Sequence, residues 1–141
     1  MGCNKALVTR HQVKYCSQKC QATTKYKKSL KGWKDGITNG AAGIQTKVLS
    51  ASIRRYLFEK HNNKCSQCDW GERNSVSGKI PLEIDHIDGN SENNREENLR
   101  LLCPNCHSLT PYFRNLNKGK GRKWRMENIR QEASTSTHIS Y

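Results

Sequence analysis

The chain has 141 residues, a formal net charge of +13 and a hydrophobic content of 33%. That length holds one ordinary domain, or a small domain with appendages. An apolar fraction so far below the usual half makes a lean core, for which bound metal is the expected reinforcement. No run approaches the ~20 apolar residues of a membrane-spanning helix, so a soluble protein is expected.

A pI near 9.7 points to a polyanionic partner, because Lys and Arg replace counterions along a phosphate backbone. A solvated basic surface and a lipid surface are the competing readings of the same charge. No segment joins strong helical amphipathicity to the basic residues, so nucleic acid is favoured over membrane.

In chain order, residues 1–21 carry Cys3, Cys16 and Cys20 with His11 between them. Residues 22–43 are basic, polar and interrupted by Gly32, Gly36, Gly40 and Gly43, and read as a linker. Within them KYKKSLKGWK, with Tyr26 and Trp33 among its lysines, reads either as a backbone-contacting strap or as a disordered linker with incidental charge. From Ile44 to about His61 the apolar residues Ile44, Val48, Ile53, Leu57 and Phe58 recur at near-helical spacing, which predicts a helix. Ile80, Leu82 and Ile84 alternate with Pro81, Glu83 and Asp85, predicting a half-buried strand that ends in Asp85-His86. A polar loop over residues 87–97 and a second strand, Leu99 to Leu102, follow. Pro104 suits the first position of a helix, and Pro111 limits how far that helix runs. Residues 112–125 are basic, glycine-punctuated and aromatic, and the tail over 126–141 reads as disordered.

The seven cysteines are an odd count, no apolar leader follows Met1, and two pairs have Cys-x-x-Cys spacing. These features favour zinc in a reducing cytoplasm over a secreted disulfide scaffold. Cys65/Cys68 and Cys103/Cys106 form a four-thiolate set suited to tetrahedral zinc, a closed structural site with no position left for water. The amino-terminal run Tyr15-Cys16-Ser17-Gln18-Lys19-Cys20 resembles half of a small zinc finger whose first cysteine is missing. A second zinc on Cys3, His11, Cys16 and Cys20 is therefore a candidate, against a start lying upstream or a decayed finger.

Six of the twelve acidic residues (Glu83, Asp85, Asp88, Glu92, Glu96, Glu97) fall within residues 83–97, inside an otherwise basic chain. A divalent-metal site facing a phosphate needs such a concentration, though loop solvation also accounts for most of the six. Taken together, Asp85-His86, Asn98 and His107, bracketed by the two cysteine pairs, resemble the HNH endonuclease family in its four-cysteine, zinc-stabilised form found in phage and mobile elements. The resemblance covers about residues 52–120. It implies an α+β fold, the small ββα-metal (His-Me) finger, as a nuclease domain over 44–125 with a basic carboxyl extension. It also implies that His86 is the general base, that Asp85 and His107 hold a catalytic divalent ion, and that Asn98 braces the loop carrying His86.

These roles are chemically coherent. Neutral imidazole suits proton removal from water near pH 7, and a hard divalent ion offsets charge as the phosphodiester breaks. Two protein ligands leave room for water and phosphate around Mg²⁺, while an imidazole ligand also admits Mn²⁺, Co²⁺ or Ni²⁺. His107 falls near the expected helix start, where the positive dipole end favours a neutral ring and an incoming phosphate. Each residue alone has a plainer reading: His86 a strand-end polar group, His107 a fourth zinc ligand, Asn98 a loop cap. Asn90, Asn93 and Asn94 are read as turn-shaping residues.

Arg95, Arg100, Arg114, Lys118, Lys120, Arg122, Lys123 and Arg125 are the candidate nucleic-acid contacts, with Trp124 as a stacking or core residue. The resulting expectation is a DNA endonuclease, monomer or homodimer, working in a bacterial or phage-infected cell and leaving a 5′ phosphate and a 3′ hydroxyl. RNA stays open as a substrate. The alternative from another class is a zinc-stabilised nucleic-acid-binding module without activity.

Overall fold

The computed structural model describes residues 15–43, 46 and 48–117. They belong to two compact units that divide between Lys60 and His61.

In the first unit, Ser17 caps a helix by accepting a hydrogen bond from the Cys20 backbone N–H at 3.1 Å. That helix, α1, spans Gln18–Lys34. This corrects the reading of residues 22–43 as an irregular linker. The stretch from Gln18 to Lys31 contains neither Gly nor Pro and holds five lysines and two glutamines, good helix formers. One interior glycine, Gly32, costs only about 1 kcal/mol. The chain then turns back, and Ala41 bridges Leu49 before α2, Ala51–Lys60. The expected helix from Ile44 thus begins seven residues late, where Ser50 accepts from the backbone N–H groups of Ile53 and Arg54. Val48 is 66% exposed rather than part of an apolar stripe.

Trp33, Ile53 and Leu57 are the buried hydrophobics of this unit. Gly40, at φ +77°, lets the backbone lie against them; a Cβ there would stand 2.4 Å from the Ile53 side chain and 2.9 Å from the Trp33 ring. Tyr26 donates to Glu59 at 2.6 Å while Arg55 bonds the same carboxylate at 2.7 Å and lies over the Tyr26 ring, tying α1 to α2.

The second unit is built on a two-stranded antiparallel hairpin of β1, Glu83–His86, and β2, Leu99–Leu102. Its register pairs Glu83 with Leu102, Asp85 with Arg100 and His86 with Leu99. β1 is shorter than the alternation from Ile80 predicts. Pro81 has no N–H to give a ladder, so pairing begins only after it. The short helix α3, Pro104–Ser108, follows β2 and touches both strands. Leu82, Leu99, Leu101, Leu102, Cys65 and Cys103 are its buried hydrophobic residues. Strand, strand, helix is the α+β, ββα order expected from the sequence. Among the described residues, no helix is long and apolar enough to cross a membrane.

Candidate active site and zinc cluster

The two Cys-x-x-Cys pairs converge. The Sγ atoms of Cys65, Cys68, Cys103 and Cys106 all lie within 4.8 Å of one another, and Cys68 and Cys103 are 3.8 Å apart. Sulfurs ~2.3 Å from a tetrahedral zinc would be separated by roughly 3.8 Å, so the set fits that ion. Burial alone would raise the Cys65 thiol, but the backbone N–H groups of Cys103, Gln67 and Cys68 hold it down to about 6. Cys106 is pushed up to about 12 by its hydrogen bonds to neighbouring thiols, Cys68 first, and by burial. Four crowded thiols cannot all ionise without a cation among them, and a dication removes that conflict. Zinc at this site would bind β2 to the knuckle, where Ser66 already bonds the Leu101 carbonyl through both its N–H (2.8 Å) and its hydroxyl (2.9 Å).

At the end of β1, His86 directs Nε2 at the side-chain oxygen of Asn94, 2.8 Å away. An amide oxygen only accepts, so Nε2 is the donor here, and in the neutral tautomer that makes this contact the Nδ1 lone pair is available. Asn94 is 5% exposed and held within the loop. Its contact with the imidazole was not legible as such in the sequence, where it stood among three loop asparagines; the signal was an Asn eight residues after the histidine in a loop that must fold back. Asn98 is buried. Its amide donates to Asp88 at 2.9 Å and to the Asn93 carbonyl at 2.7 Å, and its side-chain oxygen accepts from the Asp88 N–H. Asn93 and the Asn90 N–H also bond Asp88, and together these donors keep its carboxyl below the ordinary range against the opposing effect of burial. The loop is pinned further by Gly89, at φ +72°, whose missing side chain makes room for the Tyr112 ring.

Asp85 is buried, and its two oxygens divide their work. Oδ2 accepts from Arg100 Nε at 2.8 Å, while Oδ1 stands 3.6 Å from His107 Nε2. Two ligands ~2.1 Å from one octahedral ion would be roughly 3 Å apart, so a slight closure would let both hold a single divalent ion. The other ring nitrogen, His107 Nδ1, is 2.5 Å from Glu83 Oε2 but not aligned as a hydrogen bond. Phe113 packs edge-on against the His107 ring with centroids 5.1 Å apart. The expected dipole assistance to His107 does not hold: α3 has five residues, and His107 is in its last turn rather than at its start.

The sequence-derived phosphate contacts separate. Arg100 is committed through Nε to Asp85. Arg95 is exposed at the cap of the 3-10 turn Glu96–Asn98, and Arg114 is exposed over the Phe113 ring. Lys118, Lys120, Arg122, Lys123, Trp124 and Arg125 lie outside the described residues, as do Cys3 and His11. Of the second candidate zinc set, Cys16 sits just before α1 and Cys20 in its first turn.

With this geometry in place, the family model described as HNH endonuclease matches residues 74–108, from the turn before β1 to the end of α3. Residues 74–108 are thus similar to the HNH endonuclease family. Over 100 residues the chain is 35% identical to "H-N-H endonuclease F-TflIV" of Escherichia phage T5, an alignment covering 71% of this chain and 40% of that protein. The chain therefore spans less than half the length of this curated relative. No solved structure matches. The HNH segment contains Asp85, His86, Asn98 and His107 together with the second cysteine pair, while Cys65 and Cys68 precede it.

Proposed function

We propose that this chain is a divalent-metal-dependent endonuclease that hydrolyses DNA phosphodiester bonds, leaving a 5′ phosphate and a 3′ hydroxyl. The observation that carries the reading is His86: an imidazole with Nε2 held on the Asn94 oxygen, next in the chain to Asp85, whose Oδ1 stands near His107. His86 Nδ1 takes the proton of the attacking water, and the Asn94 oxygen steadies the imidazolium that results. Asn98 and Gly89 keep the loop from drifting, so the ring meets water in a near-attack geometry. Asp85 Oδ1 and His107 Nε2 would hold the divalent ion, which when bound supplies charge stabilisation for the phosphate and the departing 3′ oxygen. Arg100 fixes the Asp85 rotamer through Oδ2 and leaves Oδ1 for the ion.

The relative's name, an H-N-H endonuclease, supports the same reading, as does the basic charge expected of a protein that grips phosphates. Work inside a phage-infected or bacterial cell accords with that relative and with thiolates kept reduced for zinc. Supercoiled plasmid incubated with Mg²⁺, Mn²⁺ or Ni²⁺ tests the proposal. Metal-dependent nicking by the wild type, abolished in His86→Ala, is expected. An inert wild type that binds DNA with a steep salt dependence would instead make it a binding module.

A further inference from the structure

The α1–α2 unit carries charge that its own packing does not use. α1 holds six lysines (Lys19, Lys25, Lys27, Lys28, Lys31, Lys34) and no acidic residue. Lys25, Lys28 and Lys31 recur at three-residue spacing, which on a helix advancing ~100° per residue makes one row along one side. Tyr26 and Trp33, the residues α1 turns toward its core and toward α2, lie roughly on the opposite side. The row borders a groove of about 530 Å³ between α1 and the returning segment, lined by Lys25, Lys28, Lys31, Asp35, Ile37 and Thr38. Lys31 is paired with Asp35 at 2.7 Å, the only carboxylate in the lining. Lys25 and Lys28 make no ion pair among the described residues. Like charges at this spacing disfavour a helix by a few tenths of a kcal/mol per pair, so the row is retained at a cost to α1.

We propose that this row and its groove bind the sugar–phosphate backbone of double-stranded DNA, a second grip on the substrate carried by the α1–α2 unit. The inference rests on reading the chain as acting on DNA. Ammonium groups on long stems suit phosphates that are met at no fixed base sequence, and Ile37, 76% exposed, offers an apolar wall for deoxyribose. A lipid surface is disfavoured, because the aromatic side of α1 that would enter a membrane is spent against α2. Asp35 makes the grip weaker than it could be: its carboxylate occupies Lys31 and repels phosphate.

The experiment measures binding of the zinc-loaded full chain to a labelled DNA duplex over a KCl series, without added Mg²⁺ or Mn²⁺. For Lys25→Gln/Lys28→Gln, the slope of log affinity against log salt should become shallower by about 2, roughly one for each lost phosphate contact. Asp35→Asn frees Lys31 and should tighten binding and steepen the slope by about 1. A matched change at exposed Lys64 and Lys79 (Lys64→Gln/Lys79→Gln) should leave most of the slope in place. An unchanged slope in the Lys25/Lys28 variant overturns the proposal, as does an equal fall in the matched control, which would assign the effect to overall charge. All four altered lysines are exposed, so unchanged melting temperatures should certify folding. A wild type that never cleaves yet loses slope in the variant refutes the nuclease and keeps the grip; an active wild type with an unaltered slope does the reverse.

Discussion

Asn94→Ala isolates the contribution of a fixed imidazole. The His86–Asn94 contact is 2.8 Å long, and Asn94 is almost completely buried, so its oxygen is held in place before substrate arrives. A net hydrogen bond of this kind contributes about 1–1.5 kcal/mol, and with 1.36 kcal/mol per decade of rate its loss from the transition state alone slows cleavage roughly five- to tenfold. The effect is bounded above by removal of the base itself, since a positioned general base contributes about 10²–10⁴-fold. Single-turnover cleavage of a saturating oligonucleotide duplex by wild type, Asn94→Ala, Asn94→Asp and His86→Ala is the assay. The rate constant should fall in Asn94→Ala with little change in the half-saturating DNA concentration. Asn94→Asp keeps an acceptor oxygen and should retain most of the rate. Zinc content and melting temperature, measured alongside, separate a misplaced ring from a damaged fold. A wild-type rate constant in Asn94→Ala would refute the argument that this oxygen fixes the base.

Other perturbations reach different parts of the unit. Cys103→Ser should abolish stoichiometric zinc binding and, with it, cooperative thermal unfolding of the hairpin, read by metal analysis and circular dichroism. Gly89→Ala places a Cβ 2.5 Å from the Tyr112 ring at φ +72°, and should cost about 2 kcal/mol, lowering the melting temperature by several degrees. Arg100→Met removes the cation beside Asp85 and should tighten Mn²⁺ binding severalfold in calorimetry, because the carboxylate then keeps its full charge for the ion. Asp88 is held below the ordinary carboxylate pKa, against burial, by Asn93, the Asn90 N–H and Asn98, so its contribution is complete above about pH 4 and is lost as pH falls through the lower folded value. Melting curves of wild type should therefore drop more steeply than those of Asp88→Asn in that acidic window.

Much of the hairpin unit was legible because its constraints are local. Two residues between paired cysteines set a metal-binding turn, Pro104 starts α3 where a proline is tolerated, and Leu99–Leu102 forms β2 as its apolar run suggests. What depended on tertiary contact was harder to read. The Asn94 oxygen reaches His86 only after the loop closes, and Arg100 looked like a phosphate clamp until the hairpin register set it opposite Asp85. In residues 22–43 four glycines outweighed helix-forming lysines, although only Gly32 falls within α1. The late start of α2 has the same origin, since Val48 matches a helical stripe by spacing yet belongs to the returning segment.

If the chain cuts DNA as proposed, the aromatic pair after α3 bears on how its targets can change. Tyr112 presses on Gly89 in the loop after His86, and the adjacent Phe113 packs on His107, so two consecutive rings hold both sides of the proposed active site in alignment. The chain then passes through one short turn, Arg114–Asn117. On the proposed nuclease reading, anything joined at that point starts its path a few residues after the rings that flank Gly89 and His107. A reader domain exchanged there would change which sites are visited while the offset between recognised sequence and break stayed short and constant, so new addresses could be acquired without rebuilding the blade.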